Sequence, residues 1–255
     1  MPFEVALFIA FFILVATAIV TANVIASRKQ AAKEEELKRA ASVRGWQFEV
    51  NREGGYRVHR WAGTTDGVSW QAESLRDVGG GNKRHHRRRQ IGRWHGAWSP
   101  GINGAIVAMG VPKGKEELGQ AIAAGDGFFA KLAQKAAGFA FDKAIDVYFG
   151  DGPGKDADAG TMHRVDTKTP GFIVMAADKD EGARILSQGL EKALVDASND
   201  TTSVLSNEDR PWVLLRPKGI SLARMTSLRD INELDGFVRA GVALTRVFTF
   251  GRRSM

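Results

Sequence analysis

An uninterrupted apolar stretch near the N-terminus constrains the fold of this chain more than any other feature. Residues 5–22 contain no charged side chain, and Thr17 and Thr21 are their only polar members. Extended to residue 26, the stretch corresponds to about 33 Å of helix, which is sufficient to cross a hydrocarbon core of about 30 Å. A helix inside a soluble domain normally keeps one polar face, and this stretch has none. Residues 1–26 are therefore predicted to form a transmembrane anchor, with residues 5–26 in contact with the lipid bilayer.

A cleaved signal peptide is the main alternative for this stretch, because residues 24–26 end in the small-residue pattern that a signal peptidase accepts. Against it, Glu4 occupies the region where a signal peptide carries a cation, and the apolar run exceeds the usual length of about 7–15 residues. Positive charge follows the stretch instead, at Arg28, Lys29, Lys33, Lys38 and Arg39. By the positive-inside rule, the sequence predicts a single-pass protein of the cell (inner) membrane, with its N-terminus outside and its C-terminal domain in the cytoplasm.

Two further segments follow the predicted anchor. Residues 27–42 are rich in Ala, Glu, Lys and Leu, which predicts a helical juxtamembrane stalk. Residues 43–255 are predicted to form one soluble domain, which is long enough to bury a core without help from disulfides or metal. The Gly/Asp/Pro-rich segment 150–160 divides this domain into two halves that we do not expect to fold independently. The chain contains no cysteine, which excludes disulfides, thiolate nucleophiles and cysteine-ligated metal sites.

Alternating apolar and polar residues predict several strands joined by hairpins in the soluble domain. Segments 56–62 and 68–74 flank Asp66-Gly67, a strong hairpin turn signal. Further strands are predicted at residues 44–50, 90–98, 104–111, 171–177, 212–216 and 220–225. Helical spacing predicts helices over residues 115–149, after the pair Asp178/Glu181 and after the pair Ser227/Asp230. The predicted fold class is therefore α+β, with one transmembrane helix followed by a mostly antiparallel sheet and about three covering helices.

The order of these segments resembles that of a known class of bacterial proteins. An Arg-Gly-Trp strand at residues 44–46 is followed by the hairpin WAGTTDGVSW at residues 61–70. The strand–helix unit FIVMAADKDEGARIL at residues 172–186 and a hairpin before the last helix come later. The chain resembles bacterial single-pass membrane proteins that carry an uncharacterised cytoplasmic domain. This resemblance implies the architecture, and it implies no activity, cofactor or catalytic residue.

Familiar motifs for catalysis and cofactor binding do not occur in the sequence. There is no G-x-S-x-G, H-E-x-x-H or G-x-G-x-x-G pattern. Segment 150–156 is one residue short of a phosphate-binding loop, and Asp156 replaces the hydroxyl residue that would hold magnesium. Its aspartates also lack the spacing of a calcium loop. His85 and His86 stand among arginines, which would repel a metal cation. We therefore predict no cofactor and no metal site.

Two histidines leave an enzymatic alternative open. His59 and His95 both fall on predicted strands, where they can lie near each other, and a hydrolase-like site would use His59 or His95 with a nearby carboxylate. Histidines that make ordinary hydrogen bonds on a sheet face are the simpler interpretation. The six tryptophans also fall on predicted strands, and we expect them to be core and sheet-edge residues rather than a stacking platform. They are Trp46, Trp61, Trp70, Trp94, Trp98 and Trp212.

The positive charge of the chain is concentrated in one segment. The net charge is +7, and residues 78–115 alone carry +8 because they contain no acidic residue. We define the basic segment as residues 83–93. Its cations are Lys83, Arg84, Arg87, Arg88, Arg89 and Arg93. Such a run is often a solvated loop, but beside a membrane it can bind anionic lipid headgroups, or it can bind an acidic protein partner. Nucleic acid is a weaker alternative, because no RNA- or DNA-binding module accompanies the run.

The sequence thus predicts a membrane-anchored module that is not an enzyme. Its cytoplasmic domain is expected to bind a partner protein or the anionic membrane surface through the basic segment. Two alternatives stay open: a hydrolase-like enzyme with an unrecognised site, and a subunit of a larger membrane complex.

Overall fold

The computed structural model describes residues 3–53, 55–77, 90–97, 101–111, 145, 148–149, 162–169, 171–199, 210–224, 226–228 and 230–250. The chain divides into two compact units, Met1–Gly45 and Trp46–Met255. The first unit is helical and the second contains the sheet, so the principal division of the chain falls directly before the first strand.

A single helix, α1, extends over Phe3–Val43. The predicted anchor and the predicted stalk are therefore one continuous element, without a break at residue 26 or 27. Within the apolar part, the Thr17 hydroxyl donates to the Ile13 carbonyl at 2.7 Å, which satisfies this polar group inside the helix. The helix ends at Val43 and is followed by Gly45, whose φ of 69° is the left-handed conformation that typically follows a helix C-terminus.

The large apolar side chains of α1 are exposed. Phe11, Leu14 and Val20 have 61%, 68% and 61% of their surface accessible. Among the described residues, α1 is the one helix that is long and apolar enough to cross a membrane. A core helix of a soluble domain would cover these side chains, so their exposure leaves a membrane anchor or a signal sequence as the two interpretations of α1.

The second unit is built on one nine-stranded antiparallel sheet. Its strands are β1 Gln47–Glu53, β2 Tyr56–Thr65, β3 Val68–Asp77, β4 Ile91–Ala97, β5 Ile106–Gly110, β6 His163–Val165, β7 Phe172–Ala176, β8 Trp212–Arg216 and β9 Gly219–Arg224. Their order across the sheet is β1-β2-β3-β4-β9-β8-β5-β7-β6. The hairpin β8–β9 therefore lies in the middle of the sheet, although it is the last pair of strands along the chain. The predicted α+β fold class is confirmed.

The hairpin predicted at Asp66-Gly67 is confirmed. Both turn residues have positive φ, 52° for Asp66 and 79° for Gly67. Two consecutive positive values match the right-handed twist of the flanking strands, and Asp-Gly is among the few pairs that adopt them readily. This turn places Val68 opposite Thr65 and so sets the whole register of β2 and β3.

Helices cover one face of the sheet, which we call the helix face. The helix α2 Lys179–Ile185 packs on β6 and β7. It continues through a π-helical turn at Leu186–Leu190, where Gly189 interrupts the helical geometry, into α3 Glu191–Asn199. The last helix, α4 Ile231–Phe250, packs on β3, β4 and β9. The side chains between these helices and the sheet form the main core, in which Leu222, Leu234 and Phe237 have no accessible surface.

The opposite face of the sheet is covered only over part of its described area. Ile145 and Phe149 are helical, and they form a second buried cluster with Val107 on β5 and Leu214 on β8. Tyr148 stacks on Trp212, with 4.2 Å between the ring centroids and 8° between the ring planes. These residues belong to the predicted helix 115–149, most of which lies outside the described residues. Over β1–β4, this second face instead carries polar and charged side chains.

Candidate functional site

A cavity of about 580 Å³ lies over the polar part of the second face, which we call the open face. It extends from β1 across β2, β3, β4 and β9 to Arg216 at the end of β8, and Phe149 lies at its margin. Its volume falls in the range of small-molecule sites, about 300–1,000 Å³. The open face is therefore the concave, polar surface of the described structure, and we take it as the candidate site.

A row of alternating charges crosses the open face at right angles to the strands. Glu49 on β1 is paired with Arg60 on β2, Arg60 with Glu73 on β3, and Glu73 with Arg93 on β4. We call these four residues the charged row. Directly opposed side chains of an antiparallel pair are close enough to interact, and opposite charges stabilise the pairing. Acidic and basic residues from four strands thus form one continuous row of cross-strand pairs in the folded sheet.

Ion pairs join Glu73 to both of its neighbours in the charged row. Arg93 Nη1 lies 2.5 Å from Glu73 Oε1, and Arg60 Nε lies 3.7 Å from Glu73 Oε2. Arg60 also donates two hydrogen bonds to Glu53, at 2.7 and 2.8 Å, which lower the pKa of that carboxyl below its usual value. Arg93 Nε donates to the Tyr148 carbonyl at 2.6 Å. Arg93 therefore connects the open face to the helical residues that cover the β5–β8 side.

A second row of the open face, which we call the neutral row, contains no charge. In register order its residues are Gln47, Ala62, Gln71, His95 and Ser221, on β1, β2, β3, β4 and β9. His95 Nδ1 and Ser221 Oγ are joined by a hydrogen bond of 2.9 Å. Burial and the charge of Arg216 lower the pKa of His95 below its usual value. Both effects disfavour the charged imidazolium form of His95.

Gly219 explains why His95 and Arg216 approach each other. A Cβ at Gly219 would lie 2.5 Å from His95 Cε1 and 3.1 Å from His95 Nε2, so the imidazole fits only because this position has no side chain. Gly219 is also the register partner of Arg216 in the β8–β9 hairpin. The absence of a side chain at Gly219 therefore leaves room for the His95 ring on the side of Arg216, the last residue of β8.

The Ser221–His95 pair matches two members of a hydrolase triad, a hydroxyl nucleophile and a neutral imidazole base. The third member of a triad is a carboxylate that stabilises the imidazolium, and it would raise the pKa of the histidine. The pKa of His95 is lowered instead, with Arg216 as the charged contributor.

The structure does not bring His59 and His95 together on one face of the sheet. His59 on β2 is paired with Ser74, whereas His95 on β4 is paired with Gln71. Because successive side chains of a strand point to opposite sides, this register places the two histidines on opposite faces of the sheet. His59 is buried on the helix face, and its ring centroid lies 5.8 Å from those of Phe48 and Trp61.

Five of the six predicted contact residues, Lys83, Arg84, Arg87, Arg88 and Arg89, lie outside the described residues. The segment that contains them joins the end of β3 at Asp77 to the start of β4 at Ile91. Asp77 and Ile91 lie at one end of the strands. Gln47, the first residue of the sheet, lies at the other end. The sixth, Arg93, belongs to the charged row, and 16% of its side chain is accessible.

The tryptophans that the structure describes are placed as expected. Trp61, Trp70 and Trp94 are 3%, 2% and 1% exposed, and Trp46 packs edge-on against Trp70 with 4.9 Å between the ring centroids. Trp98 lies outside the described residues. Within the part of the chain that the structure describes, no group of three or more His, Asp and Glu residues converges in a way that could hold a metal ion.

Searches against protein-family models, curated proteins and solved structures found no match to this chain. The resemblance to bacterial single-pass membrane proteins therefore stays a prediction.

Proposed function

We propose that this protein is a single-pass inner-membrane protein whose sheet domain docks on the anionic cytoplasmic leaflet and binds ligands there without catalysing a reaction. The main support for a membrane anchor is α1, an unbroken helix whose apolar half is followed by Arg28, Lys29 and Lys33. Cations that flank a span on one side favour the cytoplasm for that side.

The continuity of α1 supports a retained anchor over a cleaved signal peptide. The small residues that a signal peptidase would need, at positions 24–26, lie inside the helix and not at its end. Proteolysis favours exposed, extended segments, and a helix that continues for four further turns does not provide one. The cations that follow the apolar span also favour a retained anchor, because a signal peptide carries its cations before the apolar run.

The membrane-docking part depends on the basic segment. Arg93 is engaged in the charged row, so we assign docking to the other five cations, Lys83, Arg84, Arg87, Arg88 and Arg89. Each basic residue near an anionic leaflet contributes about 1 kcal/mol. The anchor holds the domain beside that leaflet and so raises the effective concentration of lipid headgroups at the segment. The anchor does not raise the effective concentration of an acidic protein partner in the same way. Such a partner would also need its own recognition surface.

The absence of native cysteine allows a direct test of topology. We expect a membrane-impermeant maleimide to label Glu4→Cys from the outside of intact cells, and to label Lys192→Cys, an exposed position on α3, only after lysis. Mass spectrometry of the labelled Glu4→Cys chain should show that the apolar residues 5–26 are retained in the mature protein. Labelling of Lys192→Cys in intact cells, or a mature chain that begins after residue 26, would contradict the proposal.

Hydrogen exchange in lipid nanodiscs tests the docking. With the full-length chain in anionic discs, amide exchange across residues 83–89 should be slower than in neutral discs by at least about tenfold, given about 1 kcal/mol per basic residue. High salt should remove the difference, because the screening length falls from about 10 Å at 0.1 M to about 3 Å at 1 M. The triple variant Arg87→Ser/Arg88→Ser/Arg89→Ser should exchange alike in both discs.

A matched control removes the same charge elsewhere. Arg52, Arg164 and Arg239 are exposed on β1, β6 and α4, and their triple serine variant changes the net charge equally. It should keep the slow exchange of residues 83–89 in anionic discs. Equal loss of protection in both triple variants would show that net charge, and not the basic segment, attracts the domain to the membrane.

A further inference from the structure

The side of β1 that faces away from β2, which we call the outer edge, is a long and regular strand edge. Among the strands that the structure describes, β1 has β2 as its only neighbour, and β6 at the opposite edge of the sheet is three residues long. All seven residues of Gln47–Glu53 are paired with β2 in continuous register, without a bulge or a proline. Short length, bulges and prolines are usual ways to keep an edge from pairing, so the outer edge is suited to accept another strand.

The turn at Asp66-Gly67 determines which backbone groups of β1 point to the outer edge. The residues that flank a two-residue turn exchange both of their backbone hydrogen bonds, and the direction of bonding then alternates along each strand. Odd-numbered residues of β2 therefore bond to β3, and even-numbered residues of β2 bond to β1. Because odd-numbered residues of β1 are paired with these even-numbered residues, the N–H and C=O groups of Phe48, Val50 and Arg52 point outward.

These outward groups are arranged for pairing with a second copy of the same strand. Val50 is the middle residue of β1. Two antiparallel copies centred on Val50 overlap over their full length, and every outward N–H and C=O group then finds a partner, which gives about six hydrogen bonds. A register shifted by one pair in either direction keeps only about four of them. The backbone therefore favours the register that is centred on Val50.

The side chains of β1 favour the same register. A shift of the centre to residue 49 would place Glu49 opposite Glu49 of the second copy, and a shift to residue 51 would place Glu49 opposite Glu53. Like charges in direct opposition destabilise strand pairing. With the centre at Val50, each acid faces an amide, and the arginine faces an aromatic ring, over which its guanidinium can lie. The opposed pairs are then Gln47 with Glu53, Phe48 with Arg52 and Glu49 with Asn51.

We propose that the outer edge of β1 pairs with β1 of a second copy of this chain, antiparallel and centred on Val50, so that two sheets join into one continuous sheet. The surface is self-complementary in both backbone and side chains, as the interface of a two-fold symmetric dimer requires. Anchoring in one membrane would add to the effective concentration of the second copy. The pairing does not depend on the anchor or on the basic segment, so its test is separate from the tests of topology and docking.

Oxidative cross-linking of the full-length protein in detergent micelles tests the pairing and its register, since the chain has no native cysteine. Co-expressed Glu49→Cys and Asn51→Cys chains, with tags of different size, should form a mixed disulfide dimer. Their Cα atoms would lie about 4.5 Å apart, within the range of a disulfide. Each variant alone should be cross-linked at least about tenfold more slowly, because its two cysteines are diagonal and about 7–8 Å apart.

Lys192→Cys, at an exposed position on α3, measures the rate of cross-linking by random collision. The mixed dimer should form at least about tenfold faster than the Lys192→Cys dimer. A mixed dimer that forms no faster than the Lys192→Cys dimer would overturn the proposal. Either single variant that is cross-linked as fast as the mixture would overturn it as well, because the register would then have a different centre.

Val50→Pro and Val50→Thr form a matched pair of variants for the interface. Because the Val50 N–H points outward, proline removes two hydrogen bonds across the outer edge and none to β2. Analytical ultracentrifugation in micelles should give Val50→Thr the dimer dissociation constant of the wild-type protein, and raise that of Val50→Pro by at least about tenfold. An equally stable Val50→Pro dimer, or a wild-type protein that is monomeric at about 100 μM, would overturn the proposal. Should Val50→Pro fail to fold, the cross-linking rates decide.

Discussion

Replacing Trp94 with alanine is expected to lower the free energy of unfolding of the sheet domain by about 3–5 kcal/mol, the usual cost of truncating a fully buried aromatic side chain. Trp94 lies on β4 near the centre of the sheet and has 1% of its surface accessible. Its indole lies against two glycines. A Cβ would come within 2.4 Å of the ring at Gly96 and within 2.5 Å at Gly241 on α4. Removing the ring leaves a cavity that neither glycine can fill.

Urea denaturation of the full-length protein in detergent, followed by circular dichroism, measures this effect. Val43→Ala, at a position that is 82% exposed, is the control and should change the free energy of unfolding by less than about 0.5 kcal/mol. Gly241→Ala should also destabilise the domain, by about 1–3 kcal/mol, because the added methyl group displaces the indole. A loss below about 1 kcal/mol in Trp94→Ala would show that α4 collapses onto the sheet and fills the space.

The second large effect is expected at Arg93. Arg93→Met should lower the free energy of unfolding by about 2–3 kcal/mol, less than the loss of a fully buried partner, because Glu73 retains Arg60 at 3.7 Å. The substitution removes the ion pair with Glu73 and the hydrogen bond to the Tyr148 carbonyl. The side chains of Arg93 and Glu73 are 16% and 26% accessible, so solvent screens their interaction only in part.

A double-mutant cycle with Glu73→Leu separates pairing from burial. The double variant Glu73→Leu/Arg93→Met should recover part of the loss, since removing both partners leaves no unpaired charge and Arg60 keeps its bonds to Glu53. Arg93→Met should also leave the slow exchange of residues 83–89 in anionic nanodiscs unchanged. A stable Arg93→Met variant that no longer docks would instead return Arg93 to the docking surface and contradict its assignment to the charged row.

Local patterns in the sequence predicted the elements well. The hairpin at Asp66-Gly67 and the strand–helix unit at residues 172–186 follow from turn residues, alternation and helix-start signals that act over a few positions. Asp178 caps α2 as expected, because its carboxylate accepts hydrogen bonds from the backbone of Asp180 and Glu181. The details of the capping boxes differ. The Glu181 carboxylate accepts from the backbone of Asn103 and Gly104, and Asp230, rather than Ser227, caps α4.

The candidate site was not predictable in the same way. Alternation showed that β3 and β4 have one polar side, but it does not specify which strands become neighbours. His95 and Ser221 are 126 positions apart, and they meet because β9 pairs with β4 and not with a strand closer along the chain. The same limit applies to His59, because the exact register decides which face of the sheet a residue occupies. A search for alternating acidic and basic positions in successive strands would have indicated the charged row.

The central position of the β8–β9 hairpin has a consequence for the synthesis of this protein. Among the described strands, β1–β4 and β5–β7 form two groups that are joined in the sheet through residues 212–224, which are synthesised after both groups. Until then β4 and β5 are unpaired edges, the kind of surface that invites aggregation or recognition by chaperones. A chain that stops before residue 212 would already carry the apolar helix α1 and would lack the centre of its sheet. The two groups of strands can therefore join only after residues 212–224 have been synthesised, which makes the pairing of β9 with β4 and of β8 with β5 a late and long-range step of folding.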